Sequence, residues 1–384
     1  MRLSPSRSAV RIAAAVGALT LTAVGVATPA GAAPSGQQRT AVIVQLRPGS
    51  DAAAAAHSAE AQGGRTTHVY RTVFRGFAGE FTDRAIAALQ RNPNVALVEA
   101  DDVATTTSTQ SPATWGLDRI DQRGRTLNNT YTTPSDGGGV TAYIVDTGID
   151  PTSGRFENRV GGGTTSITDG GGTKDCNGHG THVAGTVGST TYGVAEDVTL
   201  VPVRVLNCSG SGSWSGVIAG LDWVAANHQA GQPAVANMSL GGPRNSSVDA
   251  AVDGVVSDGV TVAVAAGNDN RDACSFSPAR VAGAITAGAT DKADARASFS
   301  NYGTCVDLFA PGVSITSEWL SGGTNTISGT SMATPHVAGA AAVLLAQNPG
   351  LSPSAVAAAL VQTSTTNVVT RAGKGSPNRL LFVG

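Results

Sequence analysis

At 384 residues, with 14 % charged and 41 % hydrophobic side chains and 49 glycines, the chain has the make-up of a turn-rich globular protein of two or three units, not of a disordered or fibrous one. A net charge of −2 leaves no electrostatic footprint for nucleic acid or an anionic membrane, and neither is expected as a partner.

Residues 1–32 read as an export signal. Arg2, Arg7 and Arg11 make a basic start, residues 12–26 are apolar, and Ala30-Gly31-Ala32 offers a small-residue cleavage site. No later stretch is apolar over the length a membrane helix needs, so a secreted, extracellular protein is expected. Residues 33–104 form the next unit. A strand over 41–46, a turn at Pro48-Gly49, a helix over 51–62, strands over 67–74 and 76–81, a helix over 83–91 capped by Thr82 and a strand over 95–98 give the order β-α-β-β-α-β. That order is the ferredoxin-like plan. The run Thr105–Ser108 reads as a flexible, cuttable linker.

The unit from residue 105 to 384 alternates short apolar strands (140–146, 199–206, 234–238, 260–265, 284–289) with helical stretches (181–187, 215–228, 247–258, 333–347). Such alternation predicts an α/β fold, a parallel β-sheet with helices on both faces, and a site beyond the carboxyl ends of its strands. Four cysteines, Cys176, Cys208, Cys274 and Cys305, in an exported chain read as two disulfides, with three connectivities open.

Several polar residues fall at strand ends and helix starts. Asp146 ends an apolar strand ahead of Thr147-Gly148, where a carboxylate suits the task of holding an imidazole in one tautomer. Alone it is a turn aspartate. A single Asp-Thr-Gly excludes the aspartic-protease mechanism, which needs two carboxylates. His179 opens a helix between two glycines, and His182 lies one turn on. With neither Cys2His2 spacing nor H-E-x-x-H, the pair gives no zinc site, and His182 is read as a packing partner. Asn268 follows the strand 260–265 and offers a neutral donor of the kind an oxyanion hole requires. Ser331, in Gly329-Thr330-Ser331-Met332-Ala333-Thr334-Pro335-His336, stands at the start of an apolar helix, where amide hydrogens and the dipole favour negative charge. Pro335 is expected in that helix's first turn. Each residue has an ordinary explanation by itself: a surface histidine, a left-handed asparagine, a capping serine. The four together do not.

The order Asp…His…Ser, with the motifs Asp146-Thr147-Gly148, His179-Gly180-Thr181-His182 and Gly329 to His336, resembles the subtilisin-like serine proteases, and more closely their proteinase K/aqualysin-like branch. The segments 115–122, 237–242, 297–303 and 375–381 resemble that branch too, and residues 39–103 are similar to the family's inhibitor I9-type propeptide. The resemblance implies a secreted serine endopeptidase of broad specificity, cutting extended protein substrates with aromatic or aliphatic P1 side chains and processing itself from a pre-pro-form. Ser331 would be nucleophile, His179 general base and acid, Asp146 its orienting partner, and Asn268 with the Ser331 amide the oxyanion hole. Gly210-Ser211-Gly212 and Ser239-Leu240-Gly241 would be edge strands pairing with substrate, Ala265, Ala266 and Gly267 the S1 lining, and Trp214 the rim of S4. The pairs Cys176–Cys208 and Cys274–Cys305 are implied, as is structural Ca²⁺ at Asp307 with the carbonyls of Ala282 and Ala284, and at Asp118, Asp121 and Gln122. The partners are protein or peptide substrates and the chain's own propeptide as intramolecular chaperone and inhibitor; a monomer is expected. An esterase with the same triad would carry G-x-S-x-G, which is absent around Ser331. A binding protein on an inactive scaffold would have lost one of these positions, and none is lost.

Overall fold

The computed structural model describes residues 39–71, 74–101 and 108–384, which fall into two compact units dividing at residue 102. The expected export signal lies outside the described residues. So does the expected linker, except for Ser108, which begins a strand, Ser108–Gln110, paired antiparallel with Tyr131–Thr133.

The first unit runs β1 (Thr40–Leu46), α1 (Ala52–Glu60), β2 (Gly64–Tyr70), β3 (Gly76–Phe81), α2 (Asp83–Arg91) and β4 (Val95–Ala100). Its antiparallel sheet has the order β2-β3-β1-β4, that of the ferredoxin-like plan. Asp51 starts α1 by accepting from the amides of Ala53 and Ala54, and the Thr82 hydroxyl accepts from the Ala85 amide to start α2. Alternate residues Val42, Val44 and Leu46 of β1 face Ala52, Ala56, Ala59 and Leu89 of the helices, with Phe77 and Phe81 between them.

The second unit is built on a sheet of nine strands among the described residues. After a short helix α3 (Trp115–Ile120), its elements are β5 (Thr141–Asp146), β6 (Thr164–Thr165), α4 (His179–Gly188), β7 (Thr199–Arg204), α5 (Trp214–Asn227), β8 (Ala234–Met238), α6 (Ser246–Ser257), β9 (Thr261–Ala265), β10 (Ile285–Thr290) and β11 (Leu308–Pro311). There follow a hairpin of β12 (Ile315–Glu318) and β13 (Thr324–Ile327), then α7 (Thr330–Gln347), α8 (Pro353–Thr363), β14 (Thr365–Thr366) and β15 (Arg379–Leu380). The sheet order is β14-β15-β11-β10-β9-β8-β5-β7-β6, parallel throughout except for the β14–β15 pair.

Both faces are buried, and the pleat divides each strand between two cores. Ala142 and Ile144 of β5 pack with α4, α7 and α8, while Tyr143 and Val145 pack with α5 and α6. Because β5 and β8 to β10 run in parallel, their carboxyl ends share one edge. Asp146 ends β5, Ser239 follows β8 and Asn268 lies just beyond β9. That edge is where the polar residues gather.

Pro335 corrects one expectation. The helix α7 starts at Thr330, so the proline stands in its second turn. It therefore withholds the amide hydrogen that would have bonded to the carbonyl of Ser331. The N-terminal placement of Ser331 is unaffected.

Candidate active site

The edge of β5 meets the start of α4. The His179 Nδ1 lies 2.8 Å from Asp146 Oδ1, which also accepts from the Thr147 amide at 2.7 Å. A carboxylate only accepts, so Nδ1 carries the hydrogen and the neutral ring keeps its lone pair on Nε2. Asp146 is fully buried, and the His179 ring is a quarter exposed. Burial by itself would push the imidazole down. The field and hydrogen bond of Asp146, with the charge of Asp175 behind them, outweigh it and hold the ring above its usual value.

The close approach needs glycine. A Cβ on Gly180 would fall 2.2 Å from the Gly148 carbonyl, and one on Gly178, which has φ +104°, would fall 2.4 Å from the Trp319 ring. Asp175 then ties the two elements together. One oxygen accepts from the Thr147 hydroxyl at 2.9 Å and from the amides of Asn177 and Gly178; the other accepts from the Thr181 amide and hydroxyl. The Thr147 hydroxyl in turn accepts from the Gly180 amide at 2.8 Å. Sequence reasoning placed Thr147 only in the turn after Asp146 and gave Asp175 no role. Their signal was an aspartate four positions before a helix that opens on histidine.

Ser331 is the second residue of α7. Its hydroxyl donates to the Ser239 carbonyl at 3.1 Å, and no hydrogen bond joins it to His179. The two residues face adjoining hollows that share residues 239–243. His179 lines one of about 590 Å³, together with Gly210, Ser211, Gly212, Trp214, Ser239, Leu240 and Gly241. Ser331 lines the other, of about 460 Å³, with Ala265, Ala266, Gly267, Asn268 and the unforeseen Phe276.

Neither segment 210–212 nor 239–241 is a strand. The first folds back on Asn207, whose amide donates to the Ser211 carbonyl and whose Oδ1 accepts from Ser209 and Ser211. Without a neighbouring strand neither forms a ladder, though both wall the cleft.

Asn268 is held by its oxygen. Oδ1 accepts from the Thr330 amide and hydroxyl, each at 2.9 Å, and that hydroxyl accepts from the Gly267 amide at 3.1 Å. The amide nitrogen is left as the free donor end. Thr330, which sequence reasoning did not single out, is what fixes its direction. An imidazole with a free lone pair, a serine at a helix start and a fixed neutral donor can together carry acyl transfer.

The sequence model of the subtilase family, Peptidase_S8, matches residues 137–381, which hold all of these residues. The chain belongs to the subtilase family. It is a serine endopeptidase, and residues 37–107 match a second family, the peptidase inhibitor I9. An extracellular serine proteinase of Thermus sp. (strain Rt41A) is 59 % identical over 323 residues, 84 % of this chain and 78 % of that one. The alkaline serine exoprotease A of Vibrio alginolyticus is 51 % identical over 313 residues, 80 % of this chain and 58 % of that one. A solved cold-adapted subtilisin-like serine proteinase superposes with a TM-score of 0.69 at 52 % identity, covering 71 % of this chain and 99 % of its own.

The subtilase unit carries two disulfides, Cys176–Cys208 and Cys274–Cys305. The first joins the loop before His179 to the loop that carries Gly210, and the Asn177 side chain reinforces it by donating to the Cys208 carbonyl at 3.0 Å. Beside it the buried Arg204 pairs with Asp169 and approaches Cys176 Sγ at 3.2 Å.

The oxygen groups expected to hold calcium differ in fit. Burial pushes the Asp307 carboxyl up, opposed by one hydrogen bond from the Thr286 amide at 2.8 Å. No cationic side chain pairs with it among the described residues, so an ion would relieve it. Ala284 immediately precedes β10 and is buried, and Ala282 is exposed. Asp118 already accepts from the amides of Asn128 and Asn129, and the Gln122 carbonyl accepts from the Arg119 guanidinium at 2.7 Å. A guanidinium on a would-be ligand opposes a second cation. There only Asp121 Oδ1 is buried without a partner, its carboxyl pushed up mainly by burial. The set Asp118, Asp121 and Gln122 therefore does not fit an ion as the Asp307 group does.

Proposed function

We propose that the chain is the precursor of a secreted subtilase that hydrolyses extended polypeptides with a triad of Ser331, His179 and Asp146. The observation that carries this reading is the 2.8 Å contact of Asp146 with the His179 Nδ1, which leaves Nε2 free at the cleft. The mechanism requires the Ser331 hydroxyl to turn from the Ser239 carbonyl to Nε2. The ring accepts the proton as the oxygen attacks the carbonyl, and the Asn268 amide and the Ser331 amide hold the oxyanion. The imidazolium then protonates the leaving amine, and water completes the cycle by the same route.

The walls formed by 210–212 and 239–241 offer main-chain donors and acceptors that any extended peptide can use, hence a broad sequence tolerance. The hollow lined by Ala265, Ala266, Gly267 and Phe276, with polar Asn268, Asp269 and Ser277 also in its wall, has small side chains and a volume of about 460 Å³, which suits an aromatic or large aliphatic P1 side chain. Trp214 rims the far hollow as an S4 wall. Export by residues 1–32 accords with the extracellular name of the Thermus relative. Residues 33–104 act as chaperone and inhibitor, in keeping with the I9 match.

Cut sites in an unfolded protein, read by mass spectrometry, test the reading: scattered cleavage after Phe, Tyr, Leu and Met supports it, and cleavage at one motif or none overturns it. Asn268→Ala should lower kcat by ~10²–10³ with little change in KM, because its donor meets the oxygen only once charge develops. An equal rise in KM at unchanged kcat would instead make Asn268 a ground-state contact.

Asp307, with the carbonyls of Ala282 and Ala284, would hold Ca²⁺, which supplies charge neutralisation at a half-buried carboxylate and no step of the reaction. Chelation should then lower the Tm of the Ser331→Ala enzyme by about 5–10 °C, the shift for losing a ligand present at ~100 times its Kd. Asp307→Ala should remove that response. The same response in the variant would place the ion elsewhere.

A further inference from the structure

Asn237 is the fourth residue of β8, in the middle of the sheet. It is 1 % exposed, and its register partners are Ile144 on β5 and Ala263 on β9. An amide there gives up its water, and Oδ1 finds no hydrogen bond in return. Packing alone favours an apolar residue at this point. What the side chain does instead is donate from Nδ2 to the Ser239 hydroxyl at 2.9 Å.

That hydroxyl owns a single hydrogen. With one of its lone pairs taken by Asn237, the hydrogen points the other way, to the carbonyl oxygen of Ser331 at 2.8 Å. The acceptor is not an arbitrary one. It is the carbonyl whose partner inside α7 would be the amide of residue 335, and residue 335 is proline. The sheet thus supplies, through two side chains, the hydrogen bond that the helix cannot make. Ser239 also accepts the Ser331 hydroxyl on its own carbonyl, so it grips the same residue at both ends.

We infer that Asn237 is a positioning residue for the nucleophile: through Ser239 it fixes the peptide of Ser331, which Pro335 leaves untethered, so that hydroxyl and oxyanion amide keep one orientation. The inference rests on Ser331 being the nucleophile. Asn237 itself touches neither substrate nor reacting atoms.

Four variants of the processed enzyme test it: Asn237→Ala, Ser239→Ala, the pair together, and Asn237→Ala with Pro335→Ala. Each is read by kcat and KM on a peptide substrate, by the rate of labelling with a serine-directed fluorophosphonate, and by Tm. Each single variant should lose about 10–100-fold in kcat and in labelling rate, as expected for a misplaced reacting group, with KM within twofold. The pair should lose no more than the worse single, since both break one chain. Pro335→Ala restores an amide hydrogen opposite the Ser331 carbonyl and should recover most of the loss. Losses that multiply in the pair, or a lowered Tm with kcat and labelling unchanged, would overturn the inference. So would failure of Pro335→Ala to rescue. If Asn237→Ala does not fold, Ser239→Ala with and without Pro335→Ala decides the question by the same rescue. An unlabelled parent enzyme would instead refute the assignment of Ser331, a distinct outcome.

Discussion

Ser331→Ala should leave the precursor uncut and lower kcat by about 10⁶, the loss seen on removing the nucleophile of a related subtilase. The substitution removes one half-exposed hydroxyl and one hydrogen bond, to the Ser239 carbonyl, and alanine suits a helix's first turn better than serine. The fold should therefore survive, with an unchanged far-ultraviolet spectrum, and once the I9-like segment has been cut away by an added protease the lost activity reports on chemistry and not on a retained inhibitor. Two readouts follow from one protein. On a gel, the full-length chain persists in a host without other secreted proteases, where the parent chain shortens by the I9-like segment. In a peptide assay, residual turnover stays above the uncatalysed rate, because the donors at Asn268 and the helix start remain. Normal shortening of the variant in such a host would refute self-processing, and full activity would refute the nucleophile.

The sequence carried the elements whose signals are local. Thr82 and the stop before Pro93 bounded α2, and the apolar runs ending in Asp146 and Ala265 marked central strands, because a strand buried on both faces leaves an uninterrupted hydrophobic record. Where burial is slight the record fades. The second strand of the first unit was expected at 67–74 and lies at Gly64–Tyr70, since most of its residues are exposed and its register is set by pairing with β3, including a bulge between Thr66 and His68. The hairpin β12–β13 went unseen for a similar reason: its strands are four residues each and β13 is largely exposed. Within the site, motif spacing pointed to Asp146, His179, Asn268 and Ser331. It could not point to Asp175, Thr330 or Asn237, whose roles depend on partners brought close by the sheet: Asp175 on Thr147, Thr330 on Asn268 and Gly267, and Asn237 on a carbonyl freed by a proline nearly a hundred residues away.

Asp146→Asn is the most searching test of the histidine. Two effects act on one ring. An amide at position 146 can donate to Nδ1, which moves the ring hydrogen to Nε2 and leaves no lone pair for the Ser331 proton; the same change in another serine protease lowers kcat by about 10⁴. The second effect is on pH. In the proposed triad His179 works only when neutral, and its raised pKa places the acid limb of kcat/KM above the ordinary value near 6.5. Activity is thus lost as the pH falls through that raised value. Removing the charge of Asp146 takes away the main cause holding the pKa up and leaves burial, which pushes it down, countered only by the more distant Asp175. The residual activity of Asp146→Asn should therefore extend to lower pH than the parent's, against the intuition that a crippled base needs more alkaline conditions. A profile of kcat/KM from pH 4 to 9 separates the two effects, the first as a drop at every pH and the second as a displaced limb. A large drop with the limb unmoved would mean that Asp146 sets the tautomer without setting the charge, and a displaced limb with nearly full activity would mean the reverse.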